Sequence, residues 1–151
     1  MASELKLINA YMTIAMDEAK AAAELDEVPV GAVIVRNDEV IARAHNLVET
    51  RQDPTAHAEM LALKEASDKL NTRILSDCTM YVTLEPCAMC MGAIIGYRIG
   101  ALAFGAFDQA AGCCVSKTEL PELLNYRIPY IGGMLEDECK KLLSNFFQQK
   151  R

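Results

Sequence analysis

Residues Tyr81 to Arg98, YVTLEPCAMCMGAIIGYR, constrain the fold more than any other stretch of this chain. Apolar and β-branched residues up to Leu84 predict a buried strand, Glu85-Pro86 a sharp turn, and Cys87-Ala88-Met89-Cys90 the opening of a helix. Pro86 suits a first helical turn, where its missing N–H has no helical partner. Two cysteines three apart at a helix start lie on one face and can share a metal ion. The positive end of the helix favours thiolate over thiol. A second piece with the same chemistry, His57-Ala58-Glu59, stands about thirty residues upstream.

The other elements follow from periodicity. Leu5, Ile8, Tyr11, Met12, Ala15, Met16 and Ala19 recur at three and four, which predicts a helix over 3–25 ended by Asp26-Glu27. Val30 to Val35 and Glu39 to Ala44, joined by Asn37-Asp38, read as a β-hairpin. Residues 47–54 form a polar loop, and Asp53-Pro54 reads as the cap and first turn of a helix reaching Leu70. Thr79 to Leu84 is a strand, Cys87 to Tyr97 a helix, and 100–104 a strand. Residues 105–117 are irregular. A short helix over 119–124, a short strand over 128–131 and a helix over 134–149 complete the chain. Strands alternating with helices imply an α/β fold, a mixed sheet covered on both faces. At 151 residues, without repeats or a linker, one domain over 1–151 is expected.

No apolar run is long enough to span a bilayer, and Met1 to Lys20 lacks the plan of a signal peptide, so a cytoplasmic location is expected. In a reducing compartment a Cys-x-x-Cys points to metal or redox chemistry rather than a disulfide. Cys78, Cys113, Cys114 and Cys139 read as small buried hydrophobes. The net charge of −6 counts against nucleic-acid binding, but its distribution is uneven. Lys140 to Arg151 hold four basic groups and no acid, a pattern that also simply complements a helix C-terminus.

His57, Cys87 and Cys90 form a three-ligand set for zinc, and three protein ligands leave a fourth position open, as catalytic sites do. Two thiolates and a neutral imidazole cancel the charge of the ion, so a base beside it is needed. Glu59 is that base. It stands two residues from His57, a spacing that does not put both on one helix face as joint ligands. A proton shuttle is the reading that follows.

His57-x-Glu59 with Pro86-Cys87-x-x-Cys90 resembles the signature of the zinc-dependent nucleobase and nucleoside deaminases. VPVGAVIV, the pair His45-Asn46, DPTAHAEMLAL, YVTLEPCAMCMGAI, RIG, FGA and the tail LEDECKKLLSNFF are similar to bacterial tRNA-specific adenosine deaminases. The resemblance implies a three-layer α/β/α sandwich with a five-stranded mixed sheet, a homodimer, a zinc cofactor, and hydrolysis of adenosine to inosine at the wobble position of a tRNA anticodon. It implies attack at C6 of the adenine with Glu59 moving protons, and Asn46 and Asp108 match family positions near the bound nucleotide; Pro86 and the backbone N–H groups of Ala58 and Cys87 are further candidates to hold the substrate. An anticodon loop suits the chemistry because its bases splay out without opening a duplex. Phe107 and Ala110 stand where the family commonly carries basic residues, and Cys113-Cys114 where it carries small ones. Phe107 is a candidate to stack on a base or to fill a dimer interface.

Rival readings stay open at this level. A free nucleobase or nucleoside (guanine, cytosine or cytidine) fits the same chemistry and the acidic charge. A fourth ligand from Cys78, Cys113, Cys114 or Cys139 would close the zinc site and make the chain a binding module. Strand, Pro-Cys-x-x-Cys, helix also describes a thiol oxidoreductase. Glu85 reads as a turn carboxylate capping the next helix, His45 as structural, and Phe146-Phe147 as core of the last helix.

Overall fold

The computed structural model describes residues 2–150. Arg151, one of the four basic groups of the tail, and Met1 lie outside the described residues. Five strands, β1 (Gly31–Arg36), β2 (Glu39–His45), β3 (Thr79–Leu84), β4 (Ala101–Ala106) and β5 (Tyr130–Ile131), form one sheet in the order β2-β1-β3-β4-β5. β1 runs antiparallel to β2 and β3, while β3, β4 and β5 are mutually parallel, so the sheet is mixed as expected.

Strand alternation sorts the core into two layers. Ala32, Ile34, Met80, Val82, Leu102 and Phe104 face α3 (Ala58–Leu70) and α4 (Ala88–Gly96). Val33, Val35, Tyr81 and Ala103 face α1 (Ala2–Glu24) and α6 (Glu136–Gln149). The result is the expected three-layer α/β/α sandwich. Gly31 lets α1 settle directly on β1, since a Cβ there would stand 2.0 Å from the Ala15 carbonyl oxygen. Two short helices, α2 (Val48–Arg51) and α5 (Leu120–Leu123), sit in the connections. Among the described residues no helix is long and apolar enough to cross a membrane.

Three local expectations are corrected. The helix expected from Asp53-Pro54 starts at Ala58; the Asp53 carboxylate instead accepts the Thr55 N–H and hydroxyl at 2.8 and 2.7 Å, closing a side-chain turn. The loop before it contains α2. Phe146 and Phe147 are not core residues: α6 lies at the margin of the sheet, Phe146 is half-buried and Phe147 is 49% exposed. Cys78, Cys113, Cys114 and Cys139 are all buried, as read from the sequence. Lys150 pairs with Asp26 and Lys140 with Glu136, which ties part of the basic tail to neighbouring carboxylates.

Candidate active site

Two helix starts meet at the C-terminal end of β3. His57 is the N-cap of α3 and Cys87 the N-cap of α4, both with extended backbone. Their carbonyls close the first turns, accepting the N–H of Leu61 and Met91. Neither side chain caps its own helix, so the imidazole and the thiol are free to face each other. Pro86 thus precedes the cap rather than occupying the first turn. Cys90 follows one turn into α4, fully buried.

The His57 Nδ1 lies 3.7 Å from Cys87 Sγ and 3.5 Å from Cys90 Sγ. A tetrahedral zinc ion with ordinary Zn–N and Zn–S bonds would separate nitrogen from sulfur by about 3.6 Å. The donor set therefore fits zinc in both chemistry and spacing. All three ligand atoms lie within 4.8 Å of one another, and no fourth His, Cys, Asp or Glu among the described residues joins them. The closed site with Cys78, Cys113, Cys114 or Cys139 as fourth ligand is not what the fold builds. Cys139 lies in the opposite layer of the sandwich.

Hydrogen bonding and burial set the two thiols apart. The hydrogen bond from Cys90, together with His57, draws the Cys87 thiol down to about 4. Cys90 is pushed well above the ordinary thiol range by its bond to Cys87 and by burial. His57 is raised, chiefly through its contact with Cys87. Glu59 is 4% exposed, and burial pushes its carboxyl up to about 7, with the Cys87 charge adding to the rise.

The cluster opens into a cavity of about 330 Å³. His57, Cys87, Glu59 and Ala58 form its floor, and Asn46 and Asp108 line it, as does Ala111. Of the expected substrate residues, Asn46, Ala58 and Asp108 are thus brought together. Pro86 is buried and does not line the cavity. Phe107 lies outside it, in a neighbouring groove of about 700 Å³ bounded by Lys140, Leu143, Ser144 and Phe147. Val28, Leu84 and Asp108 border both spaces, so groove and cavity adjoin. Phe107 is 36% exposed and braced edge-on by Phe104 at 5.0 Å. Asn46 also closes its own turn, accepting the Val48 N–H at 3.2 Å, and Asp108 accepts the N–H groups of Ala110 and Ala111. His45 is structural, paired with Glu18 at 2.8 Å.

Two buried carboxylates at the cavity wall take roles that the local sequence does not give. Glu27, 1% exposed, accepts the N–H of Glu49 and both the N–H and hydroxyl of Thr50, fixing α2 as one rim. Burial raises its pKa, but these hydrogen bonds outweigh that and hold it below the usual carboxylate range. Glu85, 2% exposed, does not cap α4; it turns away into the loop after β4. Their one sequence signal is a carboxylate flush against an apolar strand, Glu27 before Val28-Pro29-Val30 and Glu85 after Tyr81–Leu84.

The chain matches the family model of MafB19-like deaminases over residues 8–151. It is 50% identical over 143 residues to the tRNA-specific adenosine deaminase of Bacillus subtilis (strain 168), covering 93% of this chain and 89% of that protein. A structure from work on A-to-I editing by tRNA:A34 deaminases at the wobble position of transfer RNA superposes with a TM-score of 0.86. That pair is 38% identical, over 89% of this chain and 99% of the other. A guanine deaminase from Nitrosomonas europaea superposes with a TM-score of 0.81 at 27% identity, over 91% of this chain and 83% of the other.

Proposed function

We propose, from the premise that the chain belongs to the tRNA-specific adenosine deaminase family, that it hydrolyses adenosine to inosine at the wobble position of a tRNA anticodon, as one zinc-dependent domain over residues 1–151 in the cytoplasm. The observation that carries this over a free base is the groove. A cavity of about 330 Å³ is room for one base, and the adjoining groove of about 700 Å³, edged by Phe107, Phe147 and Lys140, is room for its neighbours in a strand. A free nucleobase needs only the first.

His57, Cys87 and Cys90 would hold the ion, which when bound supplies Lewis acidity at its open fourth position. Glu59 stands on the same floor, buried and facing the cavity. It takes a proton from the attacking water and delivers protons to the substrate ring and to the departing ammonia. Water and adenosine thus become inosine and ammonia, with the carboxylate restored. Ala58 and Cys87, at the starts of α3 and α4 where backbone N–H groups lack helical partners, line the same cavity and would serve the reacting end of the base, while Asn46 and Asp108 would hold its nucleotide.

Zinc-loaded protein is expected to form inosine in a wobble-adenosine anticodon stem-loop and to leave free adenosine, guanine and cytidine unchanged. Binding of the stem-loop is expected to weaken steeply with salt, since phosphate contacts release counterions. Turnover of a free base with the stem-loop untouched would keep the chemistry and replace the substrate.

The homodimer reading rests on α4. Its nine residues carry no charge, and its outer face presents Ala88, Gly92 and Gly96 to solvent. Nothing lies within 4 Å of a Cβ placed at Gly92 or Gly96. A second copy of this chain covers that face, close to both cysteines. Gly92→Glu is expected to convert a dimer to a monomer in sedimentation; a wild-type monomer at micromolar concentration would refute the assignment.

A further inference from the structure

The Glu85 carboxylate is the centre of a small, complete structure of its own. Oε1 accepts the Asp108 N–H at 3.1 Å and the Ser116 hydroxyl at 2.5 Å. Oε2 accepts the N–H groups of Cys114 at 3.2 Å, Val115 at 2.8 Å and Ser116 at 2.9 Å. Five donors from one loop converge on one buried anion, which uses all of its acceptor capacity. The loop is shaped to admit it. A Cβ at Gly112 would stand 2.4 Å from Glu85 Cδ and 2.6 Å from Oε1, so only glycine leaves space for the carboxylate. Gly112 N–H in turn donates to the Asp108 carbonyl at 2.8 Å, and Cys113 N–H to the Pro86 carbonyl at 2.8 Å, which stitches the loop to the turn before Cys87.

We infer that Glu85 is a positioning residue for the substrate: its carboxylate is the template on which residues 108–116 fold, and through them it sets Asp108 and Ala111 in the wall of the cavity that Asn46 also lines. The assignment rests on the function proposed above. Glu85 itself has no acceptor left for a reacting proton, so it is not a second base. Cys113 and Cys114 anchor the far end of the loop in the core, whereas its near end, at the cavity, has Glu85 and its own turns to hold it. It carries no strand or helix, and Phe107, Gln109, Ala110 and Ala111 are exposed.

Glu85→Gln tests this without changing side-chain size. Turned one way, the amide NH₂ meets the three N–H groups on the Oε2 side; turned the other, it loses the Asp108 N–H. Gly112→Ala tests the same cradle from the other side, by pushing the carboxylate out with its charge intact. For both variants, KM for the stem-loop is expected to rise tenfold or more with kcat within about threefold of wild type. Zinc content is expected to stay unchanged, and the amides of Asp108, Cys114, Val115 and Ser116 to exchange at least tenfold faster. A fall in kcat at constant KM, with those amides still protected, would overturn the inference and place Glu85 at the reacting atoms. Should Glu85→Gln not fold, Gly112→Ala decides alone: wild-type KM and wild-type amide exchange would overturn it. If the wild type does not act on the stem-loop at all, the functional reading fails separately. Faster exchange in the variants would then still support the template and unchanged exchange would refute it.

Discussion

Glu59→Gln is expected to give a folded protein with its full complement of zinc and almost no deaminase activity. Glu59 lines the cavity with His57 and Cys87, 4% exposed, and is the cavity carboxylate that stands two residues from a ligand of the donor set. Glu27 and Glu85 line the same cavity, but Glu27 is committed to backbone and hydroxyl donors of α2 and Glu85 to those of the loop after β4. Losing the proton carrier beside the donor set removes general acid–base catalysis, a factor of about 10² to 10⁴ in kcat. Because glutamine preserves shape and Glu59 is not among the three converging ligand atoms, KM and zinc content are expected to change little. Steady-state kinetics beside metal analysis on the same preparation reads both. Loss of zinc in the variant would make Glu59 a fourth ligand, close the site and favour a zinc-stabilised binding module over an enzyme. Retained turnover would leave the metal and remove the proposed mechanism.

The parts of this site that were legible in the sequence share one physical property: they are set by local spacing. Cys87 and Cys90 lie one turn apart, and His57 and Glu59 straddle a helix start, so short-range geometry already fixes their relation. The central strand and hairpin were legible because period two and turn residues leave few alternatives there. Asp53 shows where such reading fails. Asp-Pro-Thr satisfies a helix cap and a side-chain turn equally well locally, and contact with β2 places the helix start four residues later, at His57, where the imidazole is needed. Glu85 shows a different failure. Its partners lie 23 to 31 residues away, and nothing in a Glu-Pro turn announces five distant donors. Phe147 was misplaced because α6 packs at the margin of the sheet. An apolar pair that would be core under a central helix becomes there the wall of an open groove.

Cys90→Ala is expected to empty the metal site and abolish activity while leaving the sandwich folded. Three donors are the minimum for a held ion with one open position, and two remain in the variant. The fold does not need the third. Ala62, Leu63 and Ala66 of α3 and Met91, Ile94 and Ile95 of α4 are buried against the sheet independently of the cluster. Removing one buried sulfur leaves a cavity near methyl size, worth about 1 kcal/mol. A second loss is the ion itself, which stabilises only the folded chain. The variant and chelated wild type are therefore expected to melt close together, both below zinc-loaded wild type, with unchanged far-UV circular dichroism. Cys139→Ala, on the opposite face of the sheet, is the matched control and is expected to keep zinc and turnover. Zinc lost from that control instead would mean that the metal sits elsewhere in the chain. Activity retained by Cys90→Ala would mean that His57, Cys87 and Cys90 converge for reasons other than hydrolysis.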